Sequence, residues 1–148
     1  MRTLVMLMAA TALPAQTPVN KARQTAVTKL EHVVEGKLHD LNGKYKLRVS
    51  ETTYLPAGYI GNHHHAGPGI RCLLSGELTY VQPDRTTTYK AGECFFESGE
   101  ISHTARNLTA TPVVLWNFEL LPADLVGASA IPVPAGASVA PEPGDGKQ

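Results

Sequence analysis

From residue 44 the chain settles into alternation. Lys44-Tyr45-Lys46-Leu47-Arg48-Val49-Ser50 switches between polar and apolar at period two, as a half-buried strand does. Short runs rich in β-branched and aromatic residues follow at residues 70–74, 78–81, 86–90, 94–97, 101–107 and 113–120. Ser75-Gly76-Glu77, Gln82-Pro83-Asp84-Arg85 and Ala91-Gly92-Glu93 separate them as turns, and Pro83 suits the second position of a tight one. A strand and turn every ~8–12 residues predicts an all-β sandwich or barrel. In the last run Trp116 and Phe118 alternate on one face and are expected to line the core. Residues 21–35 fit a helical turn or an edge strand equally well.

The two ends break this pattern. Residues 1–15 (MRTLVMLMAATALPA) place Arg2 before the uncharged run from Leu4 to Leu13, and small residues follow. That order predicts a signal peptide cut after Ala15, with Ala10-Thr11-Ala12 as the second option. The protein is then expected to be exported, periplasmic or secreted. After Phe118 there is no further aromatic residue. Residues 123–148 are rich in Ala, Pro and Gly and predict a flexible tail, since they bury too little to offset chain entropy. Within it, Ile131-Pro132-Val133 could lie across the domain surface. The expected division is a signal peptide (1–15), an N-terminal extension (16–27), one β-barrel domain (28–122) and the tail (123–148).

Charge narrows the function. Thirteen Lys+Arg balance thirteen Asp+Glu, so the basic excess that a nucleic-acid binder uses against phosphate is missing. No later segment approaches the ~20 apolar residues of a membrane-spanning helix.

The candidate chemistry sits on histidines. Four of six fall in two places, His63-His64-His65 and His103. In a strand, residues two apart share a face, so His63 and His65 can converge while His64 turns away. His103 lies in another strand-like run and can supply a third imidazole. Imidazole suits Zn, Cu, Fe and Ni. His32 and His39 read as ordinary surface or turn residues.

The residues around these histidines resemble the cupin motifs. Gly58, His63, His65 and Gly76 match the first motif at its Gly, its H-x-H pair and its closing Gly, and Gly92, His103 and Asn107 match the second at its Gly, His and Asn. Leu55-Pro56-Ala57-Gly58, Leu74-Ser75-Gly76-Glu77-Leu78 and Ala91-Gly92-Glu93-Cys94-Phe95-Phe96 look like bacterial single-domain cupins of type 2. The resemblance covers about residues 28–120 and implies a double-stranded β-helix, the jelly-roll barrel of RmlC-like proteins.

The sequence departs from the motifs at two places. Ser98 and Glu100 stand where the second motif has Pro and Gly. The metal-ligand Glu of the first motif falls near Gly69, which has no side chain. The site is then a three-His site, or its carboxylate comes from elsewhere, and Glu97 is the candidate. In the cupin fold the strand after the first motif pairs antiparallel with the strand that opens the second. A register that sets Gly69 opposite Glu97 lets Glu97 reach the vacated place. The same register opposes Cys72 and Cys94 on the other face, which implies a disulfide in an exported chain. Arg71 has the parity of the metal face, and is expected to bend towards solvent with its stem packed on apolar neighbours.

The resemblance implies a mononuclear site of His63, His65, His103 and Glu97 for a divalent metal ion (Fe, Mn, Ni or Zn) and a small-molecule ligand. The leading expectation is a metal-binding cupin; if it is an enzyme, the resemblance implies a dioxygenase on a small enolic or aromatic substrate first and an isomerase second. The rival is a non-catalytic periplasmic protein binding a small ligand or a metal, and a metal-free cupin with a degenerate site is a third. A homodimer is compatible with the resemblance.

Overall fold

A computed structural model describes residues 17–134. The expected signal peptide (1–15) and the end of the expected tail (135–148) lie outside the described residues. The described chain is nearly all strand: β1 (Lys21–Val33), a 3-10 turn (His39–Leu41), β2 (Tyr45–His65), β3 (Gly69–Ser75), β4 (Glu77–Val81), β5 (Thr86–Lys90), β6 (Cys94–Glu97), β7 (His103–Arg106), β8 (Val113–Pro122) and β9 (Ala130–Pro132). They form one antiparallel sheet in the order β5-β4-β7-β2-β8-β3-β6, with β1 and β9 also paired to β2. This is the expected all-β jelly-roll barrel.

β2 organises the barrel. Its first half pairs with β8, from Tyr45↔Pro122 to Tyr54↔Val113, and its second half with β7, from Tyr59↔Arg106 to His63↔His103. The strand therefore serves both sides of the barrel, and turns the corner at Leu55-Pro56-Ala57-Gly58. Pro56 offers no N–H to a ladder, which suits a bulge, and Ala57 takes a positive φ of 60°. Gly58 is required there, because a β-carbon would lie 2.5 Å from the Arg23 carbonyl oxygen and 2.7 Å from that of Leu55.

β1 resolves the ambiguity at residues 21–35 in favour of an edge strand. It runs antiparallel to β2 from Lys21↔Ile60 to Val33↔Lys46. The sheet thus starts inside the stretch expected to be a mere N-terminal extension. At the other end, the first part of the expected tail is bound. β9 pairs with β2 through His63↔Pro132, His64↔Ile131 and His65↔Ala130. Upstream of β9, Lys46 Nζ donates to the Leu125 carbonyl and Arg48 Nη1 to that of Gly127. Residues 123–134 form a strap held to the barrel mainly through its backbone groups.

The alternation of the β1-β2-β8-β3-β6 side is inverted relative to an ordinary half-buried sheet. Lys46, Arg48, Ser50 and Thr52 of β2 are buried. Tyr45 and Leu47, which alternate with them, are exposed. Trp116 and Phe118 do not line the core as expected. They are 39% and 38% exposed, and Asn117 and Glu119 turn inward instead. The reason is that this part of the interior is a polar cavity. The apolar core fills the rest: Tyr54, Ile60, Leu73, Leu78, Tyr80, Ala105, Val113 and Leu115 pack together. Along β8 the inward residues pass from Val113 and Leu115 to Asn117 and Glu119, and along β3 from Leu73 to Arg71, so core gives way to cavity in register.

Candidate metal centre

Two neighbouring strands deliver the three imidazoles. His63 and His103 are directly opposed on β2 and β7, and His65 follows two residues after His63 on the same face. Ring centroids lie 4.3 Å apart for His63–His103, 4.9 Å for His63–His65 and 5.3 Å for His65–His103. One ring nitrogen from each comes within 4.8 Å of the other two. His64 turns away, its Nδ1 3.3 Å from the Gly99 carbonyl oxygen. His32 and His39 lie at the exposed surface, as expected.

The rings are neutral and their orientation is fixed. Burial is the main cause that lowers the pKa of His63 to about 3 and of His103 to about 4, and it holds His65 well below the ordinary value. His63 Nδ1 donates to the Gly61 carbonyl at 2.7 Å and His103 Nδ1 to that of Ile101 at 3.1 Å. A carbonyl oxygen can only accept, so both protons sit on Nδ1 and both Nε2 lone pairs are free. Tyr80 backs the His103 ring at 4.6 Å, and Phe95 packs on Tyr80 at 5.0 Å.

Glu97 reaches this cluster from β6. The register is the expected one: Gly69 opposes Glu97, and Cys72 opposes Cys94. The carboxylate lies 3.3 Å from His65 Nε2 through Oε2 and 3.3 Å from His103 Nε2 through Oε1. Cys72 and Cys94 form the expected disulfide, on the face away from the imidazoles.

Arg71 is where the structure departs most from the sequence reading. It does not bend to solvent. It is 3% exposed, and its guanidinium Nη2 lies 2.6 Å from Glu97 Oε2 and 3.2 Å from Glu119 Oε1. The absence of a side chain at Gly69 makes this possible. A β-carbon there would meet Arg71 Nη1 at 2.3 Å. Gly69, which stands where the motif glutamate would fall, thus leaves room for an arginine that binds the Glu97 carboxylate. Glu119 and Ser129 were missed by sequence reasoning. The signal for Glu119 was its parity with Asn117, masked by the assumption that Trp116 and Phe118 face inward. Ser129 gave no signal, lying in a segment read as a tail. Asn107, matched to the second motif, is fully buried and structural: its Nδ2 donates to the Tyr54 and Thr111 carbonyls.

A divalent cation fits this donor set. Three neutral imidazoles converge, and an adjacent carboxylate has one oxygen, Oε1, not held by the guanidinium. Around it the buried charges are paired: Arg71 serves Glu97 and Glu119, and Lys46 and Arg48 serve Glu31. Beside the cluster lies a cavity of about 280 Å³, lined by Ser50, Thr52, Asn117 and Glu119 on its polar side.

The family described as Cupin domain matches residues 50–119, a stretch that contains the three imidazoles, Glu97 and both cysteines. No curated protein matches the sequence. Among solved structures, the polyketide cyclase RemF from Streptomyces resistomycificus is similar with a TM-score of 0.56 at 16% identity, over 78% of this chain and 75% of that one. An uncharacterised double-stranded β-helix protein from Klebsiella pneumoniae gives 0.53 at 20% identity, over 80% and 91%. An oxalate oxidase solved with the substrate analogue glycolate gives 0.54 at 15% identity, over 76% and 61%. At these identities the likeness is one of fold.

Proposed function

We propose that this chain, whose residues 50–119 match the Cupin domain family, is a cupin that holds one divalent metal ion on His63, His65 and His103, with Glu97 as the fourth protein ligand. The adjoining cavity takes a small polar molecule. The observation that carries the reading is the convergence of three neutral imidazoles beside a carboxylate whose other oxygen is held by Arg71. A metal ion bound there supplies Lewis acidity and, when it is redox-active, electron-transfer chemistry. The chain's own residues do the rest. Asn117, Ser50 and Thr52 offer hydrogen-bonding groups to a bound molecule, and Tyr80, Phe95 and Leu78 keep water from the far side of the imidazoles.

The catalytic form of this reading is a dioxygenase-like reaction on a small enolic or aromatic substrate. One observation favours the second form, a non-catalytic binder. Both buried carboxylates are engaged by Arg71, so the cavity lacks an uncommitted general base among the described residues. Oxygen uptake by the Fe(II)-loaded protein, over a panel of enolic and catecholic compounds, decides between them. Metal analysis of protein purified without a histidine tag tests the site itself. Near one equivalent is expected for the wild type, and much less for Glu97→Ala and His103→Ala. A Glu97→Ala variant with full metal content removes Glu97 from the ligand set.

The proposed setting is an oxidising compartment outside the cytoplasm, which the Cys72–Cys94 disulfide supports. The proposed partner is a second copy, docked on the outer face of the inverted sheet. One row of that face runs Leu30, Val49, Phe118, Ile70, Phe96 across five paired strands. With Tyr45, Leu47, Leu74 and Trp116, and leaving out the half-buried Val49, it exposes eight large apolar side chains to water, Phe96 by 68%. Side chains of this size bury roughly 150–250 Å² each when aromatic. Partly exposed as they are, they offer on the order of 800 Å², what one partner gives to an interface of standard size.

A further inference from the structure

His65 is held differently from the other two imidazoles. His63 and His103 each donate from Nδ1 to the carbonyl two residues earlier, a local bond that settles the tautomer at once. The Nδ1 of His65 instead faces the hydroxyl of Ser129 at 3.2 Å, across 64 residues of sequence. A hydroxyl can donate or accept, so on its own it leaves the imidazole tautomer open.

Glu119 removes that freedom. The single hydroxyl proton of Ser129 is given to Glu119 Oε1 at 2.5 Å. That oxygen also accepts from Arg71 Nη2 at 3.2 Å, so it faces both partners as an acceptor. With its proton committed, Ser129 Oγ can only accept. His65 must therefore carry its proton on Nδ1, which leaves the Nε2 lone pair free towards the other two imidazoles. Glu119 itself is 3.6 Å from Nδ1, too far for a direct bond.

We infer that Ser129 is the positioning residue that sets the tautomer of His65, acting through Glu119, and that the C-terminal strap is thereby a working part of the site. The inference rests on the proposed metal site. It goes beyond it in assigning a role to a residue outside the segment that the Cupin domain family matches, which ends at residue 119. The strap is built to deliver this hydroxyl. Ser129 is buried, the Ala66 amide donates to its carbonyl at 2.9 Å, and β9 begins at the next residue. Upstream, the Lys46 and Arg48 side chains pin the carbonyls of Leu125 and Gly127.

The test uses the full chain with Ser129→Val and Ser129→Thr, a pair of equal shape differing by the hydroxyl. Long-range proton–nitrogen spectra of the metal-free proteins report each imidazole tautomer, and calorimetry reports zinc affinity. The wild type and Ser129→Thr are expected to show His65 protonated at Nδ1. Ser129→Val is expected to shift His65 towards the Nε2-protonated form and to bind zinc roughly 10–100-fold more weakly, the usual cost of losing a partner of a metal-bound histidine. His103, whose partner is a carbonyl, should keep its tautomer throughout. Unchanged His65 signals and zinc affinity in Ser129→Val overturn the inference, as does a His103 shift equal to that of His65. A wild type that takes up no zinc sinks the proposed function instead, and the metal-free spectra still decide the role of Ser129.

Discussion

Gly69 and Arg71 share one volume of space. A β-carbon on Gly69 would stand 2.3 Å from Arg71 Nη1 and 2.8 Å from the Phe118 carbonyl oxygen. The position where the cupin motif carries a glutamate is therefore filled by the guanidinium of a residue two places on, and the carboxylate arrives from the opposed position, Glu97. Gly69→Ala is expected to destabilise the fold by about 1–3 kcal/mol, the usual cost of overpacking. Arg71→Met should cost more, about 3–5 kcal/mol, because it leaves two buried carboxylates without their cation. Zinc should narrow that second gap and leave the first nearly unchanged. Thermal melts with and without zinc check both. A gap for Arg71→Met that is indifferent to zinc would contradict the placement of the metal beside Glu97.

The disulfide staples an edge. β6 is the last strand of the sheet order, pairs among the described residues with β3 alone, and carries Glu97 at its end. Closing a loop of 22 residues is worth about 3 kcal/mol on the chain-entropy account. Intact-mass measurement after alkylation should find no free thiol before reduction and two after it. Cys72→Ser/Cys94→Ser is expected to melt several degrees lower and to bind zinc more weakly, since β6 then holds Glu97 by its ladder alone.

Glu31 gives the acid limb of the stability curve a defined contributor. Hydrogen bonds from Lys46 and then Arg48 hold its carboxyl below the ordinary value of 4.5. A folded pKa below the unfolded one stabilises the protein above about pH 4.5, and that stability is lost as pH falls through the folded value. Glu31→Gln should therefore be less stable than the wild type at pH 7, by up to about 1 kcal/mol given the exposure of Glu31. Urea titrations across the acid range should show the two proteins converging towards pH 3. A constant difference at every pH would mean that packing, not charge, separates them.

The outer sheet face predicts its own test. Phe118→Ser and Phe96→Ser remove side chains from the middle and one end of the exposed row without touching the cavity. Sedimentation of the wild type is expected to give a dimer that dissociates on dilution, and the double variant a monomer with the same circular dichroism. A wild type that stays monomeric at high concentration refutes docking of a second copy on this face.

Much of this architecture was legible in the residues. The runs of β-branched and aromatic residues between Gly, Pro and Asp turns located strands β3 to β8, and one register, anchored at Gly69 and Glu97, also paired Cys72 with Cys94. The sense of the alternation was not legible. Period two says that Leu47 and Arg48 face opposite ways and does not say which way is in. Hydrophobicity answers wrongly here, because this side of the barrel encloses a polar cavity. Arg71, Glu119 and Asn117 were misplaced or overlooked for that one reason. β9 and Ser129 escaped for another. Their stretch binds through backbone carbonyls and amides, and composition is blind to those.

The split service of β2 has a kinetic consequence. His63 and His103 stand opposed in space yet forty positions apart in the chain. The imidazole cluster therefore exists only after the β2–β7 ladder has closed, and an unfolded chain offers no comparable site. A metal ion that binds the native state alone raises its stability with concentration by mass action. It cannot hasten the slow, non-local pairing that must come first. Zinc should thus slow unfolding and leave the refolding rate as it was.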